Sequence, residues 1–473
     1  MSPLPEYDHV VFISIDTLRS DCIGANPHKL WPRKYPGLRA PATPALDRLA
    51  ESGAFFLNTI SAAPYTAASH GSLFTGHYPL RHGLYEFYNG RLGSPSIFTF
   101  GKEDGRRTIL KVDFPIILGP ELGFTRDVDV YLREDDDEFI EQVVDAERSV
   151  SCAHFGGVHL PYGFHNLRFG GDAYRAKVAE LEAALPADLP IPTDQITETV
   201  REPEDQELFL RYKRVTNHLY ATGAYDALFQ LYLDGVEFFL RERFEPFLER
   251  LRARLEAVGA SMLLVVFGDH GHELDADSYG HHNSLSEGVL RVPLLVSGPG
   301  IQPGRYAERV RTVDVVPTVV DLLGLDVSRH GGFDGESLAD VLLGRAAPEG
   351  HRPALSQSYG ADTREFVAFQ RRQLRGEEPG TLRHVLLGES AHLGSRRVVA
   401  MHHRYGPEFR IVPVDEKWVE SFGPDLVPVV RPDADAAELL AALDSYNATR
   451  KPAEDVPADE SLRNQLRSLG YHI

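Results

Sequence analysis

Two carboxylates and an imidazole close apolar runs in this sequence, and a threonine stands where a helix should begin. The run Val10-Val11-Phe12-Ile13-Ser14-Ile15 ends at Asp16, and Met262 to Phe267 ends at Gly268-Asp269-His270. Continuous apolar runs of this length fit strands buried on both faces of a parallel sheet. Ligands of such sheets gather at the carboxyl ends of the strands, where Asp16, Asp269 and His270 fall. Oxygen and imidazole donors together suit a divalent cation. A lone strand-terminal Asp is more often a turn or cap residue; three such groups converging on one cleft read as metal ligands.

Thr66 follows Pro64 and precedes Ala67-Ala68-Ser69-His70, a composition that predicts a helix start. Unpaired N–H groups and the helix dipole would stabilise an alkoxide there and attract an anion. A cation on the threonine oxygen would acidify it further. His70 lies one turn on, on the same helix face. Threonine is also a common N-cap, so the residue alone has two readings, nucleophile and cap.

These residues need a scaffold. Further apolar runs at 108–112, 149–153 (ending at His154) and 292–296 predict three more strands. Residues 43–52 and 225–258 carry apolar residues at helical spacing. Strands alternating with helices imply an α/β fold with a central, mostly parallel sheet flanked by helices. Residues 172–207 are polar and carry four prolines, which reads as an insertion with a short helix over the rim of the site. Past Gly344 the composition changes. Short strands are expected at 384–387, 396–402 and 409–414, and helices at 433–446 and 459–469. The organisation expected is a catalytic domain over 1–344 and a small α+β domain over 345–473.

Bulk composition narrows the class. Of the 473 residues, 42% are hydrophobic and 25% charged, as in ordinary globular proteins. The net charge of -20, with no basic block, disfavours a nucleic-acid partner, because that attraction needs clustered Lys and Arg. Two cysteines, Cys22 and Cys152, exclude a disulfide framework and make a reducing, cytoplasmic setting the expectation. Met1 to His9 has neither a basic start nor a long apolar run, so no secretory leader is expected. No stretch approaches the ~20 apolar residues of a membrane span, so no membrane anchor is expected either.

The segment Ala63 to Gly83, with Thr75-Gly76-His77-Tyr78-Pro79 near its end, resembles the nucleophile segment of the sulfatase branch of the alkaline phosphatase superfamily. Other ordered pieces share the likeness: Ile15-Asp16-Thr17-Leu18-Arg19, Pro44-Ala45-Leu46-Asp47, Gly268-Asp269-His270-Gly271, Arg291-Val292-Pro293 and Val313-Asp314-Val315-Val316-Pro317. The resemblance implies the alkaline phosphatase-like core and a metal held by Asp16, Thr66, Asp269 and His270. It implies that His159, within His154-Phe155-Gly156-Gly157-Val158-His159-Leu160-Pro161-Tyr162, contacts the substrate anion. His154 is then a second substrate contact or a core histidine. Counting back from Arg291 places His282 in the active site, with His281 as the alternative. Tyr88-Asn89-Gly90 resembles a segment that supplies a substrate-binding Asn, although Asn-Gly is equally a turn signal.

The departures from the family pattern carry as much information. Maturation of a sulfatase nucleophile to formylglycine needs Cys-x-Pro-x-Arg, and these positions hold Thr66, Ala68 and His70. Oxidising a threonine would give a ketone. A lysine-bearing segment of the family reads Val112-Asp113-Phe114 here, and Thr17 stands where a second acid is usual. One charge is therefore missing from the family's Ca2+ cage. Neither Asp226 nor Asp234 has a histidine four residues on, which favours one ion (Mn2+, Zn2+ or Ca2+) over two. The function these residues imply is hydrolysis or transfer of a small phosphate or phosphonate ester, through a phospho-threonine at Thr66, with His70, His159 and His282 assisting. The alternatives are a sulfatase working without formylglycine and a degenerate anion-binding relative.

Overall fold

A computed structural model describes residues 4–449, with the exception of 86–89, 116, 161, 164–166, 192–202, 277, 282–283, 348, 351, 363–364, 366–367, 369–371, 373–383, 406–409 and 433–434. The strands of the first part are β1 (His9–Ile15), β2 (Ala54–Ile60), β3 (Arg107–Val112), β4 (Val130–Arg133), β5 (Ser149–Phe155), β6 (Met262–Phe267), β7 (Glu273–Asp275), β8 (Ser278–Gly280), β9 (Arg291–Ser297), β10 (Gly304–Tyr306) and β11 (Val310–Arg311). The central sheet runs β10-β2-β9-β6-β1-β5-β3-β4, with β11 also on β2. Its neighbours are parallel except at β9, which is antiparallel to both β2 and β6.

Every residue of β1, β2 and β5 is buried. In β1, Val11, Ile13 and Ile15 join one apolar cluster, while Val10 and Phe12 join the cluster on the opposite face. That alternation follows from the two-residue period of a strand, and it explains why no polar face interrupts the runs in the sequence. β2 was not among the expected strands; Asn58 and Thr59 break its apolar run near the end.

The Thr66–Thr75 helix is also buried along its whole length. It therefore shows no amphipathic stripe, and its start is marked instead by Tyr65 in an extended conformation. Residues 225–258 form one long helical rod with a defect. The rod is α-helical over Tyr225–Phe239, π-helical over Leu240–Phe244 and α-helical again over Glu245–Ala257. Pro246 has no N–H to give to the turn before it, which accounts for the widened turn.

The polar stretch 172–207, expected as an insertion with a short helix, instead holds most of one long helix, Leu167–Ala183, and the start of a second, Pro203–Ala221. Val178, Leu208, Phe209, Tyr212 and Val215 from them join the main core cluster. Charged residues on the outer faces hide this inner stripe in a simple composition scan.

The remaining strands, β12 (Ala354–Gly360), β13 (Val385–Leu393), β14 (Arg396–Tyr405), β15 (Ile411–Phe422) and β16 (Pro428–Val430), form an antiparallel sheet in chain order. β13, β14 and β15 are longer than the short strands the sequence predicts, and β12 and β16 were not among the expected strands. The Ala437–Asn447 helix packs on it through Leu439, Leu443 and Tyr446. The helix expected at 459–469 lies outside the described residues. Among the described residues, no helix is long and apolar enough to cross a membrane.

Candidate active site

The parallel register of β1, β5 and β6 aligns Ser14 with both His154 and Phe267. The chain therefore leaves three adjacent strand ends at one level, carrying Asp16, His154 and Asp269-His270 into a common cleft. The buried Thr66–Thr75 helix points its first turn at the same place. Thr66 is the first helical residue, and Tyr65 occupies the cap position. The Thr66 hydroxyl donates to Asp16 Oδ2 at 3.1 Å and stands 3.3 Å from His270 Nε2.

Asp16, Asp269 and His270 are fully buried and offer ligand atoms that all lie within 4.8 Å of one another. His270 Nδ1 lies 3.0 Å from the Gly271 carbonyl. A carbonyl only accepts, so Nδ1 carries the proton and Nε2 holds a lone pair. That lone pair faces Asp16 Oδ1 at 3.6 Å and Asp269 Oδ2 at 3.4 Å. Neither carboxylate oxygen has a hydrogen-bond partner. Three electron-rich atoms, buried and turned toward each other, are a costly arrangement that a cation resolves. The residues present thus fit a divalent ion.

The ionisation of the pair agrees. Burial, followed by the neighbouring Asp16 charge, pushes the Asp269 carboxyl well above the usual carboxylate range. Burial also works to raise Asp16, but the hydrogen bond from His154 and the charges of His270 and His159 outweigh it and hold Asp16 below that range. Without an ion, one of the two acids retains its proton.

Thr17, just past Asp16, has φ +61°. A β-branched residue in the left-handed region stores backbone strain. The turn aims the Thr17 N–H at Asp269 Oδ1, 3.2 Å away, while the His270 N–H reaches the same oxygen at 2.8 Å. Ser61 and Ser69 donate to the Asp269 carbonyl at 2.6 and 2.5 Å. One face of Asp269 is thereby anchored and the other left open to the cleft.

The expected site histidines take different positions. His154 Nε2 donates to Asp16 Oδ2 at 3.2 Å, and its Nδ1 accepts from the Asp113 N–H at 3.3 Å. His70 Nδ1 donates to the Thr66 carbonyl and its Nε2 accepts from the Ser14 hydroxyl, both at 2.8 Å. Both His70 ring nitrogens are thus engaged by the protein, and burial pushes its pKa down to about 3. His159 is half-buried, with its ring against Phe114 and His281 at centroid distances of 5.2 and 5.4 Å. His281 lies 4.3 Å from the His270 ring. His282 and Asn89 lie outside the described residues.

Several neighbours carry little sequence signal. Lys111, Asp113, Asp136 and Arg243 form a buried charged quartet beneath His154. Lys111 Nζ lies 2.8 Å from both acids, and Arg243 spans the same two. Lys111 also donates to the His154 carbonyl at 3.2 Å. A lysine at the inner end of an apolar strand was the available clue. Arg243 reaches the quartet from the π-helical turn. Tyr162 and His272 pair at 2.8 Å one layer behind His281. None of this is legible from periodicity.

Residues 8–112 and 243–325 match the sulfatase family. The chain carries a sulfatase-family domain. The matched residues include Asp16, Thr66, Asp269 and His270, whereas His154 and His159 lie outside them. A stretch of 83 residues is 35% identical to choline-sulfatase of Rhizobium meliloti, covering 17% of this chain and 16% of that one. The chain therefore matches well under two thirds of the length of that relative. A longer match, 25% identical over 357 residues, covers 72% of this chain and 71% of the low-salt glycan biosynthesis sulfotransferase of Haloferax volcanii. Among solved structures, the phosphonate monoester hydrolase of Silicibacter pomeroyi superposes with a TM-score of 0.60 at 17% identity, over 95% of this chain and 96% of that one. At that identity the likeness is one of fold.

Buried neutral histidines make the sulfatase domain and its attached sheet sensitive to acid. Burial lowers His70, His82 and His392 to about 3 and His270 to about 4. Unfolded, each would titrate near 6.5. The native state therefore binds fewer protons than the unfolded chain between these values, and stability falls as pH falls. Each histidine contributes a slope of up to about 1.4 kcal/mol per pH unit below about pH 6.5. Urea unfolding at stepped pH is expected to show a steep loss of stability between about pH 6.5 and 4. A flat profile over that window would contradict the neutral assignments.

Proposed function

We propose that this protein cleaves or transfers a singly charged phosphorus ester, a phosphodiester or a phosphonate monoester, using Thr66 as nucleophile. The observation that carries the reading is the Thr66 hydroxyl at the first turn of a buried helix, in contact with Asp16 and His270. A divalent ion held by Asp16, Thr66, Asp269 and His270 would supply Lewis acidity and charge neutralisation. The chain supplies the rest. The Thr66 hydrogen bond to Asp16 Oδ2 orients the oxygen and gives its proton a path out. The oxygen attacks phosphorus, the bond to the ester oxygen breaks, and a phospho-threonine forms. His159 or a histidine of the 281–282 pair protonates the departing oxygen. Water or an acceptor alcohol then displaces phosphorus from Thr66 and restores the hydroxyl.

Charge favours a monoanion. Among the described residues, no Lys or Arg pairs with Asp16, Thr66, Asp269 or His270, and the nearby cations Lys111 and Arg243 are spent on Asp113 and Asp136. Two carboxylates and one divalent ion sum to zero, and the surrounding imidazoles add polarity without a fixed charge. A dianionic phosphate monoester would leave two uncompensated charges in this site, and a monoanion only one. A nitrophenyl diester and a phosphonate monoester are expected to exceed the phosphate monoester by about 100-fold in kcat/KM. A phosphate monoester as best substrate would overturn the reading.

A second reading, sulfate-ester turnover without formylglycine, is favoured by the match to choline-sulfatase and by the single charge of a sulfate ester. An aryl sulfate in the same panel distinguishes it: a clear preference for sulfate over both phosphorus monoanions selects this second reading.

A further inference from the structure

The helical turn Glu287–Leu290 lies between the candidate site and the C-terminal sheet. On the side of the site, the Gly271 N–H donates to the Val289 carbonyl at 2.6 Å and the His272 N–H to Gly288 at 3.2 Å. The backbone just after His270 is therefore stitched to this turn. The approach is close: a Cβ on Gly288 would fall 2.4 Å from Arg19 Nη1. On the other side, Glu287 is buried and held from the C-terminal sheet. His392 Nε2 of β13 lies 2.8 Å from Glu287 Oε1, and Arg397 Nη1 of β14 pairs with the same oxygen. Arg397 Nη2 donates to the Leu285 carbonyl at 2.7 Å. One guanidinium thus grips both the turn and the segment leading from His281. Arg291 binds the other oxygen of Glu287 and the Leu426 carbonyl of the β15–β16 loop.

We propose that Arg397 and His392 are positioning residues for the candidate site, acting from the C-terminal sheet through Glu287. Neither touches the cleft. Their grip on Glu287 sets the 285–290 segment, which in turn sets the Gly271–His272 backbone and the orientation of His270. Groups that orient metal ligands from outside are worth about 10- to 100-fold in ion affinity. A planar fork suits this place, because its two N–H groups meet Glu287 and the Leu285 carbonyl at a fixed spacing that a point-like lysine ammonium does not hold. This inference rests on the metal reading of Asp269 and His270 and is independent of the choice of substrate.

The test uses the full chain and Mn2+ alone as probe. Arg397→Gln is expected to weaken Mn2+ binding by about 10- to 100-fold and to lower kcat more than it changes KM. Arg397→Lys should recover part of the loss. Removing one partner can unfold a protein by stranding the other charge, so the Glu287→Gln/Arg397→Gln pair, which removes one charge of each sign, serves as the second variant. The double variant should be no worse in Mn2+ affinity than the worse single one, since both cut the same link. If folded Arg397→Gln and the double variant bind Mn2+ like the wild type, the positioning role is wrong, whatever their melting temperatures. If the wild type itself binds neither Mn2+ nor Zn2+, the metal reading fails, and the inference with it.

Discussion

Thr66→Ala is expected to lower turnover by about 10^4-fold or more, with the fold unchanged. Such a loss corresponds to about 5.5 kcal/mol of transition-state stabilisation. The substitution is mild for the fold. Alanine is a good helix former, and residue 66 takes its place in a helix already flanked by Ala67 and Ala68. The hydroxyl makes no contact with the helix's own first-turn N–H groups; its partners are Asp16 and His270. What disappears is the one oxygen that lies both in the cluster and at the helix start. Thr66→Ser retains that oxygen and should stay within about 10-fold of the wild type, the missing methyl costing mainly orientation. A phosphorus substrate stopped early in turnover should leave one phosphoryl group on residue 66 in the wild type and none in the alanine variant. An alanine variant with near-normal turnover would remove threonine from the chemistry.

Chelation is the second large effect. Stripping divalent ions should abolish turnover, and Mn2+ or Zn2+ should restore it. The pH dependence follows from Asp269. Its carboxyl is pushed well above the usual range by burial and by Asp16 when no ion shares the site. The proton and the ion compete for the same carboxylate, so ion affinity should rise with pH. The stability of the stripped protein runs the other way. Its native state holds a proton that the unfolded chain releases near pH 3.9, so the Asp269 contribution is present below that value and is lost as pH rises. Asp269→Asn imitates the protonated acid. At pH 8 the stripped variant should be more stable than the stripped wild type by roughly 1–3 kcal/mol, yet bind no ion tightly and turn over no substrate. Equal stability of the two stripped proteins, measured by urea unfolding, would mean that the carboxylates do not crowd one another.

The strand ends were legible because a parallel sheet buried on both faces leaves a strong signature: an unbroken apolar run stopped by a polar residue. Asp16 and Asp269-His270 stand out for that reason. β2 did not, because Asn58 and Thr59 interrupt its run. The helix at 167–183 was expected only as a short one within 172–207, and the helix at 203–221 was not among the expected elements. Their apolar residues are diluted by charges that face away from the core. His70 illustrates a different limit. One helical turn past Thr66, the sequence allowed a basic group in the site, whereas the folded chain gives both of its ring nitrogens to Ser14 and the Thr66 backbone. Rotamer and partner depend on what packs opposite, and a one-dimensional spacing holds no record of that.

The order of residues by itself determined the α/β class, the donor types available for an ion, and the absence of a convertible cysteine at position 66. These are matters of side-chain chemistry and local period, and they survive without coordinates. Tertiary structure alone decided which lone pairs meet. The two open carboxylate oxygens and the His270 nitrogen come from strand ends 253 residues apart. The charged quartet under His154 joins two strand-end residues to a helix start and a π-turn. The grip on Glu287 comes from a separate sheet. Interactions between buried charges depend steeply on distance and on exclusion of water, and both quantities exist only after the chain has folded.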